Sequence, residues 1–125
     1  MARLLVIDDW TLTAAAAELA AGEAGAGCDH ALDGVSGVER ARAGSYDLVL
    51  ASMHGPGLNG LEVARALAGT GARVVLIGEG GGPTRRRCAA AGVWALLPRP
   101  VSVADVRRCL DDARRAPASL PRRVA

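Results

Sequence analysis

Two aspartates stand together at positions 8 and 9, directly after the apolar run Leu4–Ile7, and a second apolar run, Leu48–Ala51, ends on Ser52. Paired carboxylates at a strand end are hard oxygen donors of the kind Mg²⁺ takes. A pocket built on them could receive a phosphoryl group. That chemistry needs a further carboxylate where the second run ends, and the chain offers a hydroxyl. A seryl hydroxyl near neutral pH attacks phosphorus only when a general base takes its proton, and its phosphate would be a stable ester. The sequence carries an acidic pair without the nucleophile that would use it.

Other combinations of reactive residues fail on spacing. Ser52, His54 and Asp8 have the residue types of a hydrolase triad, but residues two apart near a strand end do not by their spacing assure a hydroxyl–imidazole hydrogen bond. His54 reads instead as a loop residue. Gly55-Pro-Gly-Leu-Asn-Gly60 matches a dinucleotide fingerprint, yet that fingerprint belongs after the first strand, and Pro56 suits a turn. Gly78-Glu-Gly-Gly-Gly-Pro lacks the Gly-Lys-Ser/Thr ending of a phosphate-binding loop. Cys28, Cys88 and Cys109 have no metal-type spacing and read as reduced thiols.

Stepping outward from Asp8, Asp9 and Ser52, short β-type runs alternate with helical stretches, the pattern of βα units around a parallel sheet. Strands are expected at Leu4–Ile7, Cys28–Leu32, Asp47–Ala51, Val74–Ile77 and Val93–Leu97, the last stopped by Pro98 and Pro100. Helices are expected at Thr11–Ala21, Val35–Ala43, Leu61–Leu67 and Pro83–Ala91. A last one starts at Ser102, with Asp105 three residues on as in a capping box. Five such units in residues 1–115 predict a flavodoxin-like α/β domain with strand order 2-1-3-4-5 and helices on both faces. Strands one and three then flank the switch point where ligands bind, and Asp8, Asp9 and Ser52 sit at their ends. Residues 116–125, with Pro117, Pro121 and two Arg, read as a tail or linker stub.

With the strand ends in place, the chain resembles the receiver domain of bacterial response regulators. Leu4-Leu-Val-Ile-Asp-Asp is similar to the family's first strand and acidic pair. Asp47-Leu-Val-Leu-Ala-Ser with Pro56-Gly-Leu-Asn-Gly resembles its third strand and loop, and places the phosphoaccepting aspartate on Ser52. Val74-Val-Leu-Ile-Gly and Gly92-Val-Trp-Ala-Leu-Leu-Pro-Arg-Pro resemble its fourth and fifth strands. The family's hydroxyl trigger falls on Gly78, its aromatic switch on Leu96 and its lysine on Arg99. The resemblance implies a signalling domain rather than an enzyme, in a two-component system or phosphorelay. The four departures imply a degenerate pseudo-receiver that works without phosphorylation. Asp8 and Asp9 could still hold Mg²⁺ weakly; the competing reading, which we favour, is that Arg99 pairs with one or both. No other cofactor is implied.

Composition bounds the rest. The chain has no Lys; residues 1–62 hold three Arg against nine acids, and residues 63–125 twelve Arg against four. No segment approaches the roughly 20 apolar residues of a membrane helix, and the expectation is a cytoplasmic protein. Arg85, Arg86 and Arg87 in the fourth helix, Arg107 and Arg108 in the fifth, and Trp94 in strand five mark a partner face. A solvent-facing Trp94 would anchor a contact, and an inward one would be core. The expected partner is a protein, or a fused output domain, with an acidic surface. Nucleic acid is disfavoured, since stacking aromatics are nearly absent. The alternative is a small-molecule sensor whose ligand sits by Trp10 and His54 and whose DNA-binding output lies outside the chain.

Overall fold

A computed structural model describes residues 2–115. Five strands form one parallel sheet in the order β2-β1-β3-β4-β5, alternating with five helices. They are β1 (Arg3–Ile7), α1 (Thr11–Ala24), β2 (Gly27–Ala31), α2 (Gly34–Ala43), β3 (Leu48–Ser52), α3 (Gly60–Ala66), β4 (Arg73–Ile77), α4 (Gly82–Ala91), β5 (Ala95–Leu97) and α5 (Val103–Arg115). This is the flavodoxin-like architecture expected from the alternation. α1 packs on α5, and α2, α3 and α4 make the opposite layer. The central strands are therefore covered on both sides, which is why Leu4, Leu5, Val6 and Leu48, Val49, Leu50 are continuous apolar runs with no exposed member. Each such side chain contributes about 1.5–3 kcal/mol of burial.

Register brings the chemistry to one edge. Ile7 pairs with Ala51, Ser52 with Ile77, and Ile77 with Leu97. Asp8, Ser52, Gly78 and Arg99 consequently leave or end their strands at the same rim. At the opposite rim, Asp29 accepts from Tyr46 Oη at 2.6 Å and Arg3 Nη2 at 2.8 Å. The phenol, more than the guanidinium groups of Arg3 and Arg40, holds the Asp29 carboxyl below its usual range.

Most boundaries lie within one residue of expectation, and two differ by more, for local reasons. α1 runs past Ala21 to Ala24, because Gly25 takes the left-handed conformation (φ 66°) that ends a helix. β5 begins two residues late: Gly92 caps α4 at φ 87°, and Val93 N–H is spent on Cys88 O. α5 starts as read, with Ser102 Oγ accepting from Asp105 N, while the Asp105 carboxylate accepts from Arg108 at 2.7 Å. The proposed tail, 116–125, lies outside the described residues.

α1 inverts the usual helix pattern. Its buried face is Thr13, Ala16, Ala17, Ala20 and Ala21, which lets it sit close to the sheet and α5. Its leucines point outward instead, Leu12 being 68% and Leu19 61% exposed.

Candidate functional site

The rim formed by β1, β3, β4 and β5 holds a cleft of about 570 Å³ lined by Asp9, Trp10, Ser52, His54, Ile77, Gly78, Glu79 and Arg99. Arg99 organises it. Its Nη2 donates to Asp8 Oδ2 and to Ser52 Oγ, both at 3.0 Å, and its Nη1 donates to Thr13 Oγ1 at 3.1 Å. The guanidinium carbon lies 4.4 Å from the centroid of the Trp10 ring, a cation–π distance. The Asp8 side chain is fully buried and Arg99 is 24% exposed, so the pair is strongly shielded on one side only. Asp8 Oδ1 also accepts from the backbone N–H of Trp10 at 3.3 Å, which ties the start of α1 to the same carboxylate.

Of the two aspartates, Arg99 takes Asp8. Asp9 is exposed and lines the cleft mouth. Ser52 is buried, and its hydroxyl is engaged by Arg99 rather than His54, which is exposed on the loop after β3. The hydrolase arrangement is therefore not formed. The Gly55–Gly60 loop serves α3: Asn59 and Glu62 make a reciprocal capping box, and Gly60 N donates to Met53 O.

The residues present do not fit a resident Mg²⁺ ion. One Asp8 oxygen is committed to a guanidinium, a hydroxyl stands where a third carboxylate would, and the described residues contain no group of three or more His, Cys, Asp or Glu able to hold a metal. Gly78 is crowded as well as bare. A Cβ built there would lie 3.0 Å from Met53 Cβ, while Gly78 N donates to Leu97 O at 2.8 Å. A side chain at this position would therefore need Met53 to give by a few tenths of an ångström.

Trp94 corrects the partner-face reading. It is 7% exposed, with the Arg73 guanidinium 5.8 Å from its ring centroid, so it is core rather than a surface anchor. It directly precedes β5, where its N–H pairs with Val74 O, and the pleat turns it inward. Leu96, where the resemblance puts the family's aromatic switch, is half-buried. The arginines divide by helix. In α5, Arg107 pairs with Asp111 and Glu23, Arg108 with Asp105 and Arg115 with Asp112, and Arg114 donates to Ala24 O. Arg85, Arg86 and Arg87 are exposed on α4.

Thr13 and Met53 were not singled out from the sequence. A hydroxyl on the otherwise all-alanine buried face of α1 was the available signal for Thr13. Nothing in the sequence marked Met53, whose role depends on its distance from Gly78.

No protein-family model matches the chain, and no curated protein matches it. Solved structures do. The chemotaxis response regulator CheY4 of Vibrio cholerae superposes with TM-score 0.80 at 19% identity, covering 90% of this chain and 98% of that one. The signal receiver domain of the response regulator NarL from Mycobacterium tuberculosis gives 0.78 at 24% identity, covering 92% and 98%. A LuxR-family DNA-binding response regulator from Staphylococcus aureus gives 0.79 at 15%, covering 90% and 98%. At these identities the likeness is one of fold: this chain has the receiver fold.

Proposed function

We propose that this chain is a phosphorylation-independent receiver-type signalling domain that acts by protein–protein contact, with no catalytic step of its own. The observation that carries the reading is the four-way engagement of Arg99 with Asp8, Ser52, Thr13 and the Trp10 face. A guanidinium there supplies a permanent internal cation where a phosphoswitch would bind and release ions. Ser52 lacks the carboxylate for an acyl phosphate, Gly78 lacks a hydroxyl to meet one, and Leu96 lacks a ring to respond. The domain then holds one surface constitutively. The partner is a protein or fused output domain with an acidic patch, met by Arg85, Arg86 and Arg87 on α4.

The cleft's size supports a second reading, a small-molecule sensor gripping its ligand between Trp10 and His54. A metabolite panel separates the two, because a ligand of the native state raises the melting temperature by mass action. The primary reading is tested by adding beryllofluoride with Mg²⁺ and recording amide spectra. An unchanged spectrum is expected; shifts spreading from Ser52 to α4 would overturn it.

A further inference from the structure

The rim opposite Arg99 holds a second cleft of about 560 Å³, nearly equal in size to the first. Its walls are the turn from α2 into β3 and the turn from α3 into β4, and Arg3, Arg42, Ser45, Asp47, Thr70 and Gly71 line it. Two guanidinium groups reach this cleft, and each is held by contacts that leave further donors available. Arg3 lies on the Tyr46 ring, 4.6 Å from its centroid, and its Nη2 donates to Asp29 at 2.8 Å. Its Nη1 stands beside Gly44, 3.5 Å from where a Cβ would be. Among the described residues nothing accepts from that nitrogen. Arg42 is exposed, and its Nη2 donates at 3.0 Å to the carbonyl of Ala66, the last residue of α3. Among the described residues Arg42 has no carboxylate within 4 Å.

A guanidinium fixed through one nitrogen keeps a planar fork of N–H donors that matches a carboxylate. The local charges narrow the choice of anion. Asp29 is shared between Arg3 and Arg40. Asp47 lines the cleft, with Oδ2 accepting the Arg3 backbone N–H at 2.8 Å. Arg3, Arg40 and Arg42 therefore stand against Asp29 and Asp47, which leaves one positive charge uncompensated. A monoanion answers it, whereas a dianion would bring surplus negative charge against Asp47. Asp47 Oδ1 makes no hydrogen bond among the described residues, so it is an acceptor open to a donor on the ligand. The Thr70 hydroxyl already donates to Leu67 O at 2.7 Å and serves as wall. The volume exceeds that of a bare anion and suits a small organic molecule.

We propose that this cleft binds a small hydroxycarboxylate, its carboxylate on Arg42 and Arg3 Nη1 and its hydroxyl on Asp47. The site lies at the far ends of the strands from Arg99 and does not rest on the signalling reading. The test is amide spectra of the full chain titrated with four probes: glycerate, acetate, glycerol and glycerol phosphate. Glycerate should give saturable shifts centred on Gly44, Ser45 and Gly71. Acetate, which lacks the hydroxyl, should bind about fivefold more weakly, and glycerol, which lacks the charge, should not saturate. Arg42→Gln should weaken glycerate about tenfold, as loss of a charge-assisted hydrogen bond does, with an unchanged circular dichroism spectrum because the residue is exposed. Arg42→Lys keeps the charge without the fork and should recover only part of the affinity. Asp47→Asn should raise the affinity for glycerol phosphate relative to glycerate. Glycerate that fails to saturate, acetate as tight as glycerate, or Arg42→Gln equal to wild type would each overturn the proposal. So would glycerol phosphate binding more tightly than glycerate in wild type, or shifts centred on Arg85, Arg86 and Arg87 of α4.

Discussion

Replacing Arg99 with Ala removes three hydrogen bonds and a ring contact at one stroke. The consequence is dominated by what remains, a fully buried Asp8 carboxylate without its cation. Breaking a buried pair costs about 3–5 kcal/mol, and breaking an exposed one under about 1. Here one partner is enclosed and the other 24% exposed, so water can follow the lost side chain and recover part of the solvation. The expected destabilisation is about 2–4 kcal/mol, a fall of roughly 10 °C in melting temperature for a domain of this size. Urea denaturation of wild type, Arg99→Ala, Asp8→Asn and the double variant isolates the pair. The double variant should be less destabilised than the sum of the singles by at least about 1 kcal/mol, since neutralising Asp8 removes the stranded charge. Mg²⁺ or Mn²⁺ should stabilise Arg99→Ala and leave wild type unchanged. Additive effects, or Arg99→Ala within about 0.5 kcal/mol of wild type with the same metal response, would refute the reasoning.

Gly78→Thr should destabilise by about 1–3 kcal/mol through the close approach of its Cβ to Met53 Cβ; Met53→Ala in that background keeps that Cβ and should recover little in the same denaturation assay. The depressed Asp29 carboxyl, held down first by Tyr46 and then by its arginines, contributes stability that is present above the unfolded-state value near 4 and disappears as pH falls through the folded-state value. Tyr46→Phe should flatten that acid limb in melts taken from neutral to low pH; an unchanged slope would remove Tyr46 as the main cause. Charge reversal at Arg85 and Arg86 should slow association with the partner and flatten its salt dependence. Reversal at Arg108, already paired with Asp105, should do much less.

Strand order and strand ends were legible because they depend on short-range patterns: continuous apolar runs, Gly and Pro punctuation, and the acidic pair after β1. Boundaries slipped where a glycine's handedness decided them, at Gly25 and Gly92. An Asp8–Arg99 pairing was open to inference from residue type, since a guanidinium reaching an acidic pair is a favourable geometry. The choice of Asp8 over Asp9 was not, because it depends on which carboxylate the pleat turns inward. Thr13, Met53 and the inward Trp94 share that limit. Each role is set by a distance across the sheet, 91, 86 or 25 residues apart in the contacts made by Asp8, Thr13 and Met53. The outward leucines of α1 were readable as residues but not as a surface until the alanine face was seen to be the buried one.

The central claim, that the cleft is no longer a phosphoryl acceptor, is tested most directly by intact-protein mass spectrometry after incubation with acetyl phosphate and Mg²⁺. The account expects an unmodified mass in wild type and in Ser52→Ala alike. A stoichiometric phosphoryl adduct on wild type, removed by hydroxylamine and therefore carried on a carboxylate, would contradict it.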